Sequence, residues 1–122
     1  MEDEILVYDQ AVKWDIKERE YNTSKSIGFT LFDPNIPEGL DGAIIKMWIK
    51  KPGTKTPAME LTTTDGQILI TDVIACKFLI TPVFLDIPAG GYVYDIKIFY
   101  AGGQQHTRFE GKYEICNTAT KC

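Results

Sequence analysis

Histidine is nearly missing from this chain, with one in 122 residues, and cysteine is sparse at three. A single imidazole excludes a multi-histidine zinc centre, because zinc needs several His or Cys ligands at suitable spacing. Any nucleophile–base pair built on imidazole would have to use His106, yet neither a G-x-S-x-G elbow nor a characteristic cysteine motif occurs. His106 stands where a strand leaves a turn and reads as a surface residue. The cysteines at 76, 116 and 122 lack a framework spacing. Cys76 falls in a strand-like run, where a small buried hydrophobe fits better than a nucleophile. Reduced thiols in a cytosolic compartment are the expectation, with a Cys116–Cys122 disulfide as the alternative.

Positive charge is also short. The net charge of -4 argues against a general nucleic-acid binder, which needs a basic surface to displace counterions. Long apolar runs are absent too. The longest, Ile74 to Ile87, is interrupted by Lys77, Pro82 and Asp86 and is too short for a bilayer, so no membrane partner is expected. The first residues, Met-Glu-Asp-Glu-Ile-Leu, put acids where a secretory signal carries Lys or Arg, and no targeting segment is expected. Gly90-Gly91 and Gly102-Gly103 sit between strands rather than opening a helix, so no phosphate-cradling motif or cofactor is predicted.

Ordinary globular composition is present: 44% hydrophobic and 25% charged residues. One domain of this length buries roughly two thirds of its unfolded surface. Period-2 alternation recurs in Val12-Trp14-Ile16, Ile27-Phe29-Leu31, Ile45-Met47-Ile49, Met59-Leu61, Ile68-Ile70 and Cys76-Phe78-Ile80. It continues in Tyr92-Tyr94-Ile96-Ile98 and Phe109-Tyr113-Ile115. No sustained 3.6-residue stripe competes with it. Seven or eight short strands separated by turn signals predict an all-β, immunoglobulin-like sandwich of antiparallel strands. Residues 12–116 would form the sandwich, 1–11 an extended N-terminal extension and 117–122 a C-terminal tail. Trp14, sharing its face with Val12 and Ile16, is predicted in the core.

The densest signal lies between residues 85 and 115, where a Pro-Ala-Gly-Gly corner leads into two alternating strands joined by a Gly-Gly-Gln-Gln loop. Gly90 belongs to that corner, and Tyr92 just beyond it could return its hydroxyl to an upstream backbone group, as a tyrosine corner does. Asp65-Gly66 is a hairpin-turn dipeptide, with Gly66 supplying the positive φ. The six prolines fall at strand ends or in loops.

Among chemical candidates, Asp86, Asp95, Glu110 and Glu114 are the acids a hydrolase would pair across a cleft. Glu110 and Glu114 alternate with Phe109 and Tyr113, which places them on a solvated face, and no catalytic residue is predicted. Asp95, mid-strand among apolar neighbours, is expected to accept a structural hydrogen bond or to pair with Lys97 or Arg108. Trp48, Phe99 and Tyr100 are expected to face outward as contact residues. Lys50, Lys51 and Lys55 lie in a basic loop that reads as a solvated hairpin tip and, secondarily, as a contact for an acidic group.

Three segments carry a resemblance. Leu40-Asp41-Gly42-Ala43 followed by Ile44 to Lys50 resembles the "D-L-T-G-A, then strand" segment of phage virion proteins with an immunoglobulin-like sandwich. Asp65-Gly66-Gln67-Ile68-Leu69-Ile70 is similar to their "G-x-I-x-I" hairpin. Pro88 to Ile96 with Phe109 to Ile115 resembles their closing hairpin, and the N-terminal module of upper baseplate proteins is comparable. The resemblance spans roughly residues 12–116. It implies a non-enzymatic phage or prophage component of tail, neck or baseplate, forming a homo-oligomer and touching other virion proteins. Such a protein resides in the bacterial host cytoplasm before assembly and in the virion afterwards. The chain stops soon after the sandwich, without that family's receptor-binding or coiled-coil extension, so a small assembly module is expected rather than host recognition. A carbohydrate-binding sandwich for host-surface glycans, using exposed aromatics, is the alternative.

Overall fold

The computed structural model describes residues 12–30 and 39–116. Pro34, Pro37, Cys122, the N-terminal extension and the C-terminal tail lie outside the described residues. Nine strands follow one another: β1 (Val12–Lys13), β2 (Ile16–Arg19), β3 (Ile27–Thr30), β4 (Ile44–Lys50), β5 (Met59–Thr62), β6 (Ile68–Asp72), β7 (Lys77–Ile80), β8 (Gly90–Phe99) and β9 (Gln105–Cys116). Among the described residues there is no helix, and so none long and apolar enough to cross a membrane. The strands form two sheets, β9-β8-β4-β5 with β1 and β2 on the outside of β9, and β3-β7-β6. The protein is an all-β sandwich.

The two layers are joined by the alternation visible in the sequence. Ile45, Met47 and Ile49 of β4 and Tyr92, Tyr94, Ile96 and Ile98 of β8 are buried, while the residues between them face outward. Phe29 and Phe78 stack at 5.2 Å in the smaller sheet. Both rings reach across to Phe109 of the larger one, at 4.6 and 5.9 Å. Each such ring, removed from water, contributes roughly 1.5–3 kcal/mol.

The N-terminal edge departs from the antiparallel expectation. β1 and β2 both run parallel to β9, Val12 opposite Phe109 and Ile16 opposite Tyr113, in one unbroken register. They are two stretches of a single edge strand, interrupted at Trp14-Asp15. There the predicted core position of Trp14 is wrong: its side chain is 59% exposed. The inward place is taken by its own carbonyl, which accepts a hydrogen bond from the buried Tyr94 hydroxyl. Gly111 makes room for that carbonyl, since a Cβ there would stand 2.2 Å from it. The Asp15 carboxylate then accepts from the Lys112 N–H at 3.0 Å. Burial pushes the Tyr94 phenol up to about 12, with smaller pushes from Asp15 and Glu110.

A bulge between Ile96 and Lys97 shifts the β8–β9 register, leaving Arg108 as the extra residue. Its side chain turns inward, and Nε donates to the Tyr100 hydroxyl at 3.2 Å. Tyr100 is therefore not an outward contact residue but 6% exposed. It lies two positions beyond Ile98 and shares that face, with the Arg108 guanidinium 5.6 Å from its ring.

At the opposite end of β8 the tyrosine corner is present, Tyr92 donating to the Pro88 carbonyl at 2.8 Å. Gly90 opens the strand opposite Ile115. Gly66 has φ 79°, as its turn requires, but the turn joins β5 of one sheet to β6 of the other and is not a hairpin. Cys76 is buried as expected, just ahead of β7 with φ 56°. Cys116 corrects the expectation of reduced thiols, being disulfide-bonded, whereas Cys76 remains a thiol.

Candidate functional site

The outer face of the larger sheet gathers the chemistry. Alternation turns Lys46, Trp48 and Lys50 outward from β4, and Asp95, Lys97 and Phe99 outward from β8. Register then sets neighbours side by side: Trp48 opposite Asp95, and Lys46 opposite Lys97. On its other flank Trp48 faces Glu60 of β5, to which the indole N–H donates. The Phe99 ring meets Trp48 at 6.4 Å and 75°, an edge-to-face pair. Lys46 and Lys97 place their ammonium groups 5.5 and 5.4 Å from the same Phe99 ring.

Beside this pair lies a shallow cavity of about 310 Å³ lined by Trp48, Lys50, Lys55, Pro57, Asp95, Lys97 and Thr107. The β4–β5 hairpin brings Lys55 and Pro57 to it, and the stretch of β9 before the bulge brings Thr107. Asp95 Oδ1 is buried and accepts no hydrogen bond, so the predicted structural bond is not made by that oxygen. Arg108, expected as a partner, is turned to Tyr100 instead. Burial raises the Asp95 carboxyl above the ordinary carboxylate value, Lys50 and Lys97 oppose that rise, and Glu110 adds to it. A buried carboxylate oxygen without a donor costs free energy.

Of the sequence-predicted residues, the structure brings together Trp48, Lys50, Lys55 and Asp95, with Phe99 adjoining. Lys51 is exposed outside the cavity, its ammonium 6.0 Å from the Tyr92 ring. Tyr92, Gly90 and Gly66 serve the frame. Lys97, expected as a partner of Asp95, lines the cavity beside it. Thr107, Lys46 and Glu60 were not singled out by the sequence, and the parity of Lys46 with Trp48 is the signal that marks one of them. Among the described residues Asp95 is the one acid lining the cavity, so it offers no carboxylate pair of the kind a glycosidase uses. No three His, Cys, Asp or Glu side chains gather as metal ligands among the described residues. His106 is half-buried, its Nε2 3.1 Å from Gln104 Oε1 and its ring 6.1 Å from Tyr100.

Two other surfaces stand out. A depression lined by Lys17, Glu18, Arg19, Asn22, Thr23 and Lys25 is polar, and Glu18 there accepts the Lys25 N–H at 3.1 Å. On the smaller sheet, β6 pairs only with β7 among the described residues. Leu69 on that strand is 47% exposed, and Ile74 in the following turn is 90% exposed with Val73 beside it. No protein-family model matches the chain, and no curated protein matches it in sequence.

Proposed function

We propose that the chain is a non-enzymatic, immunoglobulin-like structural module of a phage or prophage virion, in the tail, neck or baseplate. It works by contact with copies of itself and with other virion proteins, in the host cytoplasm before assembly and in the particle afterwards. The observation that carries the contact role is the edge of β6, which among the described residues pairs with β7 alone, with Leu69, Val73 and Ile74 exposed along it and its turn. Unpaired strand edges offer backbone donors and acceptors, and clustered exposed apolar side chains mark interfaces. The strand order supports the immunoglobulin-like part: β9-β8-β4-β5 facing β3-β7-β6 corresponds to sheets GFCC′ and BED of that architecture.

Light scattering on a sizing column tests the reading, together with co-purification with the products of neighbouring genes. An oligomer or a stable complex that the Leu69→Lys, Ile74→Asp double variant dissolves is the expected result. A protein that stays monomeric when concentrated and binds none of those products overturns it.

A further inference from the structure

We infer that the cavity beside Trp48 is a binding site for an acidic saccharide, that is, a sugar ring bearing a carboxylate. This deepens the glycan alternative and stands apart from the assembly reading, because the cavity lies on the larger sheet and the β6 edge on the smaller one. Three features of the lining set the ligand class. Trp48 is held at both ends, by Glu60 at its N–H and by the Phe99 ring, so an aromatic surface is preset for the C–H face of a sugar. Lys50, Lys55 and Lys97 outnumber the single acid, Asp95, giving the cavity a surplus of two positive charges on a chain of net charge -4. That surplus selects an anion. Asp95 and the Thr107 hydroxyl line the cavity and add acceptors. They select hydroxyl groups.

A uronic acid supplies all of these within one ring: an apolar face, hydroxyl donors and a carboxylate. An acidic peptide satisfies the lysines but brings further carboxylates towards Asp95. A nucleotide offers a base to Trp48 and phosphate to the lysines; it is the strongest competitor. The volume of about 310 Å³ suits one or two sugar rings rather than a long chain.

Fluorescence tests this directly. In a Trp14→Phe background, Trp48 is the one indole left and reports on the cavity alone. Digalacturonate, its neutral counterpart galactobiose, AMP and the peptide Glu-Gly-Glu are titrated in turn, each at low and high salt. Digalacturonate should shift the Trp48 emission and bind about tenfold more tightly than galactobiose, the step expected from one charge-assisted contact. Salt should erase most of that preference. The Lys50→Gln, Lys97→Gln double variant should bind the two disaccharides alike, and Asp95→Asn should weaken both. Urea unfolding of each variant shows that the fold survives. Silence towards digalacturonate up to about 10 mM, where even weak sites respond, overturns the inference. So does equal or tighter binding of AMP, of the peptide or of galactobiose.

Discussion

Two polar regions of this sandwich are built in opposite ways. Around the corner that leads into β8, buried groups are answered by the chain itself. Tyr92 donates to Pro88, the Ala89 N–H donates to Glu20 at 2.7 Å, and Ser24 exchanges two hydrogen bonds with Val83. Glu18 has a raised carboxyl through burial, and the Lys25 N–H works against that rise. In the middle of the outer face, Asp95 is also raised by burial, yet Oδ1 has no partner at all. The same cost is met locally in one place and left open in the other. Groups that hold the corner are satisfied within it, whereas Asp95 keeps a shielded oxygen without a donor beside the cavity.

That contrast can be tested by substitution. The largest loss is expected at the closed corner: Tyr92→Ala removes a buried ring together with its hydrogen bond and should cost about 4 kcal/mol, read as a lower urea midpoint. Gly111→Ala comes next, at about 2 kcal/mol, because its methyl must displace the Trp14 backbone. Loosening there should also expose the Tyr94 hydroxyl and bring its phenol down from about 12, read from the Tyr94 ring signals in an NMR pH titration.

The two acids give the sharpest opposition. Glu18→Ala should cost about 1.5 kcal/mol, since the Lys25 N–H loses a charged acceptor. Asp95→Asn should cost nothing measurable at neutral pH, and a gain in stability is the predicted direction. The sign follows from linkage. A carboxyl raised in the folded state favours folding fully below its ordinary value of 3.8, and that contribution is lost as pH rises through the folded value. Asp95→Asn should therefore exceed the native protein in stability near neutrality and converge with it in acid. A loss as large as that of Glu18→Ala would erase the distinction between the two regions.

Much of the frame was legible before any coordinates. Tyr92 followed from a Pro-Ala-Gly-Gly corner ahead of an alternating strand, a local pattern that local chemistry enforces. Trp14 was not, because its place depends on Gly111 and on the need of Tyr94 for an acceptor, both far away in sequence. Tyr100 was misplaced because the alternation of β8 continues one residue past the strand and a bulge delivers Arg108 to it. Asp65-Gly66 announced a turn, but nothing local says which sheet the next strand joins. At the cavity, Trp48 and Asp95 were each conspicuous, while their adjacency is a fact of register between strands 47 residues apart, from Trp48 to Asp95. Periodicity assigns faces; it does not assign neighbours.

The parallel edge has a consequence for biosynthesis. The first described strand is completed only by the last, Val12 meeting Phe109 and Arg19 meeting Cys116. A nascent chain therefore keeps its leading strand waiting until β9 has cleared the ribosome. Pairings of such long reach place the domain among slow folders, on the millisecond-to-second scale, and until then the core rings of β3 and β7 lack the one that caps them, Phe109.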